Sequence, residues 1–119
     1  MEILQRLILT VLIAFVPAIP AIAAELTADS LQGKWMFTHV EMEENREIKV
    51  NRVMEFLPDG TIVNYDPQGN EAGRATYEIA GDRILYEDSN GKQKWQLISF
   101  QENALHVDHR GAEMFFERQ

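Results

Sequence analysis

The chain contains no cysteine in 119 residues. That absence removes disulfide staples, thiolate metal ligands, a cysteine nucleophile and any lipid anchor attached through cysteine. A small domain without cross-links has to be held by its apolar core alone, and small domains bury a lower fraction of their surface than large ones. Basic residues are also scarce: 11 Lys and Arg stand against 19 Asp and Glu, for a formal net charge of −8. Nucleic acid and anionic lipid surfaces both require clustered Lys and Arg, so both are poor partners. After Ala24 the only serines are Ser30, Ser89 and Ser99, and none stands in the G-x-S-x-G turn that presents a hydrolase nucleophile. Carboxylates are so numerous that no pair stands out for acid–base work. Neither an enzymatic activity nor a cofactor is expected.

The first 24 residues differ from the rest. Arg6 and the amino terminus outweigh Glu2, Leu7 to Val16 is almost wholly apolar, Pro17 and Pro20 interrupt the run, and Ala21-Ile22-Ala23-Ala24 follows. A charged start, an apolar centre and an A-x-A exit are the three parts of a secretory signal peptide, with cleavage expected after Ala23 or Ala24. The uncharged stretch from Leu7 to Ala24 is just long enough to span a bilayer as an uncleaved anchor, but the two prolines and the small-residue exit favour cleavage. The expected location is periplasmic or secreted, with membrane contact only during export. Leader removal takes away one acid and one base, so the expected folded unit, residues 25–119, keeps the full charge of −8.

From Trp35 onward the apolar residues alternate with a period of two. Trp35, Phe37 and His39 are expected on one face of a first strand, and Met36, Thr38 and Val40 on the other. Glu25 to Gln32 reads as a lead-in with one helical turn capped by Asp29 or Ser30, Leu26 and Leu31 packing beneath the fold. Glu41 to Glu47 (EMEENRE) is too charged for a core strand and reads as a loop or a strand extension. Further strands are expected over 50–57, 61–65, 74–79, 83–87, 92–100, 104–108 and 113–118. They are separated by the turns Pro58-Asp59-Gly60, Asp66 to Asn70, Gly81-Asp82, Asp88 to Gly91, Gln101 to Asn103 and Arg110-Gly111. About eight strands at roughly ten-residue spacing, with no helix between them, predict an all-β fold: a small up-and-down antiparallel barrel.

Three motifs carry a family resemblance. Gly33-Lys34-Trp35 is similar to the G-x-W that opens the first strand of lipocalins. Phe56 to Thr61 (FLPDGT) resembles the F-x-x-D-G-T hairpin of bacterial lipocalin-like domains, and Phe116-Glu117-Arg118 resembles their closing aromatic and arginine. The likeness runs from about Leu31 to Arg118, in a calycin-type small β-barrel. It implies that Trp35 closes one barrel end and stacks on Arg118, a favourable cation–π arrangement, with Gly33 part of the same closure. The chain is shorter than the familiar lipocalins and lacks their usual disulfide, so a shallower barrel is expected.

The interior is expected to hold Trp35, Phe37, Met54, Phe56, Ile62, Tyr77, Ile79, Ile84, Tyr86, Leu97, Leu105, Val107 and Phe116. Trp95 and Phe100 differ in parity, so both point inward only if a bulge falls near Ser99. Met36, Met42, Met54 and Met114 are adaptable gap fillers. An eight-stranded barrel is just wide enough to be filled by side chains or to hold one small ligand. If it holds one, the candidate ligand contacts are Phe37, Met54, Phe56, Tyr77, Tyr86 and Leu97. The three histidines, His39, His106 and His109, are expected to face solvent, because residues 106 and 109 point to opposite faces and a metal site needs more convergent ligands. The expected function is an exported, non-catalytic binding module for a small apolar or amphipathic molecule held at the barrel mouth. The alternative is an envelope protein-interaction or hydrolase-inhibitor domain acting through exposed acidic loops such as EMEENRE.

Overall fold

The computed structural model describes residues 24–119, so all of the expected leader, residues 1–24, except Ala24 lies outside the described residues. The chain enters through a short lead-in and one helical turn, α1 (Ala28–Leu31). Its cap is Thr27, not Asp29 or Ser30. The Thr27 hydroxyl accepts from the Ser30 amide at 3.0 Å, and the Ser30 hydroxyl accepts from the Thr27 amide at 2.8 Å. This reciprocal box satisfies two amides that the helix start leaves open. Leu26 and Leu31 are buried beneath the barrel, as the apolar spacing predicts.

Eight antiparallel strands follow: β1 (Gly33–Met42), β2 (Arg46–Phe56), β3 (Thr61–Tyr65), β4 (Glu71–Ala80), β5 (Arg83–Asp88), β6 (Gly91–Gln101), β7 (Ala104–His109) and β8 (Ala112–Arg118). Each pairs with its sequence neighbours, and β1 pairs with β8, so the sheet is a closed up-and-down barrel. EMEENRE is a strand extension. β1 runs to Met42, a 3₁₀ turn covers Glu43–Asn45, and β2 returns from Arg46. Glu44 and Asn45 take φ of 65° and 57° in this turn.

Two bulges set which side chains face inward. In β6 the register shifts between Leu97 and Ser99, and Trp95 and Phe100 are both buried, as their unequal parity requires. In β1 the register shifts between Phe37 and His39. The period-two reading placed His39 beside Trp35. The extra residue Thr38 reverses that, turning His39 outward and Val40 against the core.

The core is dense. Trp35, Phe56, Phe116, Leu31, Ile62, Ile84, Leu105 and Val107 are fully buried. Phe37, Phe116, Trp95 and Tyr86 form a continuous row of stacked rings across the interior, with successive centroids 4.7, 5.7 and 4.8 Å apart. Phe56 meets Tyr77 edge-on at 5.1 Å. With four rings in a row and a further pair in edge contact, the middle of the barrel is filled by its own side chains.

Candidate functional site

The barrel end where β1 begins is sealed by Trp35 and Arg118. These two are cross-strand partners, and the guanidinium carbon lies 4.2 Å from the indole centroid. The indole N–H donates to the Leu31 carbonyl at 2.9 Å. Arg118 spreads its donors over three carbonyls: Nε to Glu102 at 2.6 Å, Nη1 to Gln32 at 2.7 Å and Nη2 to Ser30 at 2.7 Å. Gly33 stands beneath with φ of 116°, and a Cβ there would meet Arg118 Nη1 at 3.2 Å. A left-handed backbone and a close side chain both call for glycine at this position.

With the middle filled, open space lies at the two ends and over β4, β5 and β6, where Thr76, Leu85 and Lys94 border a recess of about 550 Å³. The larger recess, of about 900 Å³, sits between the lead-in and the β2–β3 and β4–β5 turns. Leu26, Tyr77, Ile79 and Leu97 give it an apolar lining, and Glu25, Asp59, Glu78 and Asp82 also line it, with no Lys or Arg among the lining residues. Three features build it. Ala24 N donates to the Phe100 carbonyl at 2.9 Å, which seats the lead-in. Tyr77 N donates to Gly60 O at 2.9 Å, and the Tyr77 hydroxyl donates to Leu57 O at 2.7 Å. Burial, then the charges of Asp59 and Asp29, push the Tyr77 phenol above its ordinary value.

At the opposite end β2 parts from β3 after three register pairs, leaving a cleft of about 540 Å³ lined by Arg52, Asn64, Tyr86 and Asp88. Burial and Asp88 raise the Tyr86 phenol, while Asn64 and Arg52 act in the other direction. One step deeper, the buried Trp95 Nε1 has no hydrogen-bond partner.

The six candidate ligand contacts do not converge on one space. Tyr77 and Leu97 line the larger recess, Tyr86 lines the cleft, Tyr77 and Tyr86 both border the recess over β4, β5 and β6, and Phe37, Met54 and Phe56 pack in the core without lining any of these. Glu25, Asp59, Glu78 and Asp82 were not foreseen as a group. They come from three separate stretches, the lead-in, the β2–β3 turn and the end of β4 with its following turn, and only the fold assembles them.

The histidines are not simply solvent-facing. His39 and His106 stack on opposite sides of Phe115, with centroids at 4.4 and 4.0 Å, and both imidazoles are about three-quarters covered. The Thr38 bulge places His39 in register with Phe115, which in turn faces His106. The phenyl ring thus separates the two imidazoles. Among the described residues no group of three or more His, Asp or Glu side chains is arranged to hold a metal ion.

No protein-family model matches the chain, and no curated protein matches it. Solved structures do. A lipocalin-like protein from Bacteroides uniformis superposes with a TM-score of 0.62 at 17% identity, over 76% of this chain and 99% of that one. The fold is lipocalin-like. An uncharacterized protein from Bacteroides eggerthii gives a TM-score of 0.63 at 13% identity, over 75% of this chain and 99% of that one. At such identities the likeness speaks for the lipocalin-like fold alone.

Proposed function

We propose that this lipocalin-like barrel is an exported, non-catalytic binding module that takes a small amphipathic molecule with a cationic end. The observation that carries the reading is the closed-end recess: about 900 Å³, lined by Leu26, Tyr77, Ile79 and Leu97 together with four carboxylates and no base. Its volume falls within the range of about 300–1,000 Å³ typical of small-molecule sites. An apolar body would displace water from Tyr77, Ile79 and Leu97, gaining about 25 cal/mol for each Å² buried. An ammonium group at the rim would meet Glu25, Asp59, Glu78 and Asp82, whereas an anion would be repelled by all four. The filled barrel middle argues against a ligand threaded down the axis, as in a hollow barrel.

Three amphiphiles with one tail test this: dodecyltrimethylammonium, dodecyl maltoside and dodecyl sulfate, each titrated below its micelle concentration and followed by calorimetry. The cation should bind most tightly and the sulfate least. Asp82→Asn with Glu78→Gln should weaken cation binding several-fold and leave the maltoside unchanged. Equal affinity for all three, or cation binding indifferent to the double substitution, would remove the recess from consideration.

A further inference from the structure

We propose that the β1–β2 hairpin is a self-association edge, and that its partner is β2 of a second copy of this chain. β2 pairs with β1 along its length, but its pairing with β3 begins only at Met54. From Arg46 to Val53, therefore, the side of β2 facing away from β1 has no partner strand among the described residues. Asn51, with φ of 52°, breaks the run, so the regular edge is Arg46 to Val50. An edge of this kind presents backbone N–H and C=O groups ready to pair with another strand.

Charged side chains normally protect such an edge, because a copy of the same strand meets like charge. Here the order of charges has the opposite effect. At the positions next to Ile48 the signs are antisymmetric, Glu47 preceding it and Lys49 following; two residues out, Arg46 is opposite the uncharged Val50, and beyond the regular edge Glu44 in the turn precedes and Arg52 follows. When two copies pair antiparallel about Ile48, each residue meets the one equally distant on the other side. Glu47 then faces the second copy's Lys49 twice over, once on each side of the two-fold axis. The acidic turn of each copy is carried toward the other's Arg52. An isologous two-fold contact requires this self-complementarity, and directly opposed unlike charges stabilise a strand pair.

Ile48 supplies the apolar centre. It is 46% exposed and is one of the two large hydrophobic residues left exposed among the described residues. Its partner in β1 is Val40, which packs against the core, so Ile48 stands on that same sheet face. Pairing two copies would join Val40 and Ile48 of each into one ridge across the seam, with Glu47 and Lys49 on the opposite face. A five-residue ladder is far smaller than the interface of a permanent dimer, so the association is reversible and concentration-dependent.

Sedimentation equilibrium over a concentration series reaching about 1 mM tests the proposal. The wild-type chain should show a monomer–dimer equilibrium. Glu47→Lys alone and Lys49→Glu alone each place like charges opposite one another twice, and each should raise the dimer dissociation constant at least about tenfold. The double variant, Glu47→Lys with Lys49→Glu, should restore wild-type association. An equimolar mixture of the two single variants should form a heterodimer, because all bases then face all acids. These positions are exposed, so circular dichroism should show an unchanged fold. A wild-type chain that stays monomeric throughout, single variants that associate like wild type, or a double variant that fails to recover would each overturn the pairing.

Discussion

Arg118→Ala is expected to destabilise the barrel by about 3–4 kcal/mol. The arginine donates to three carbonyls at 2.6, 2.7 and 2.7 Å. A charged donor can contribute more than a neutral one, but these contacts are partly exposed and water can replace them, so about 1 kcal/mol each is the appropriate net figure. The guanidinium over Trp35 adds about 1 kcal/mol. Arg118→Lys keeps the charge and loses the planar fork, so it should recover no more than about a third of the loss. Trp35→Ala deletes a fully buried indole and should cost about 3–5 kcal/mol. Because the two side chains touch, the double variant should lose less than the sum of the single ones, by about 1 kcal/mol. Urea unfolding with linear extrapolation reads all four chains. An Arg118→Ala shift below about 1 kcal/mol, or Arg118→Lys as stable as wild type, would show that the three carbonyls are satisfied without the arginine.

Gly33→Ala should cost about 1–3 kcal/mol, from a φ of 116° and a 3.2 Å approach to Arg118 Nη1; a melt unchanged from wild type would count against the close packing beneath the arginine. All three tyrosines, Tyr65, Tyr77 and Tyr86, are raised above the ordinary 10.0: Tyr65 chiefly by its hydrogen bond to Glu55, the others chiefly by burial. The folded chain then holds phenolic protons that the unfolded chain has released, so stability should fall as pH rises through the unfolded value near 10. Native phenolate absorbance should appear at higher pH than in urea, and coincident titrations would refute the assignment. Amino-terminal sequencing of the protein recovered outside the cytoplasm should find Ala24 or Glu25 at the start; recovery of Met1 from the envelope fraction would mean an anchored chain instead.

Most of the barrel was legible because period-two alternation and glycine turns are local signals. Thr61–Tyr65 was read to the residue, and the β6 bulge followed from the clash in parity between Trp95 and Phe100. The β1 bulge left no such trace. Thr38 fits either face of a strand, so nothing in the sequence marked the point where His39 turns outward. EMEENRE was ambiguous because charge excludes a core strand but permits an exposed hairpin. The recess was invisible for a different reason. Its carboxylates sit at positions 25, 59, 78 and 82, each unremarkable as a solvated acid; the barrel's turns bring the last three together, and the Ala24 hydrogen bond to Phe100 adds Glu25.

The pairing of β1 with β8 also governs the order in which the barrel can form. Arg118 bonds carbonyls 86 and 88 residues earlier in the chain, while every other strand pairing joins sequence neighbours. Hairpins from β1 to β7 can therefore zip up quickly, each closing a short loop, whereas the seam waits on the slow encounter of distant segments. Until β8 docks, β1 and β7 each offer a bare edge, and that half-closed meander is the species most exposed to aggregation or capture by a chaperone. Arg118→Ala should on this account lengthen the lifetime of that intermediate as well as weaken the finished barrel. The effect would be seen as slower refolding and lower recovery at high protein concentration.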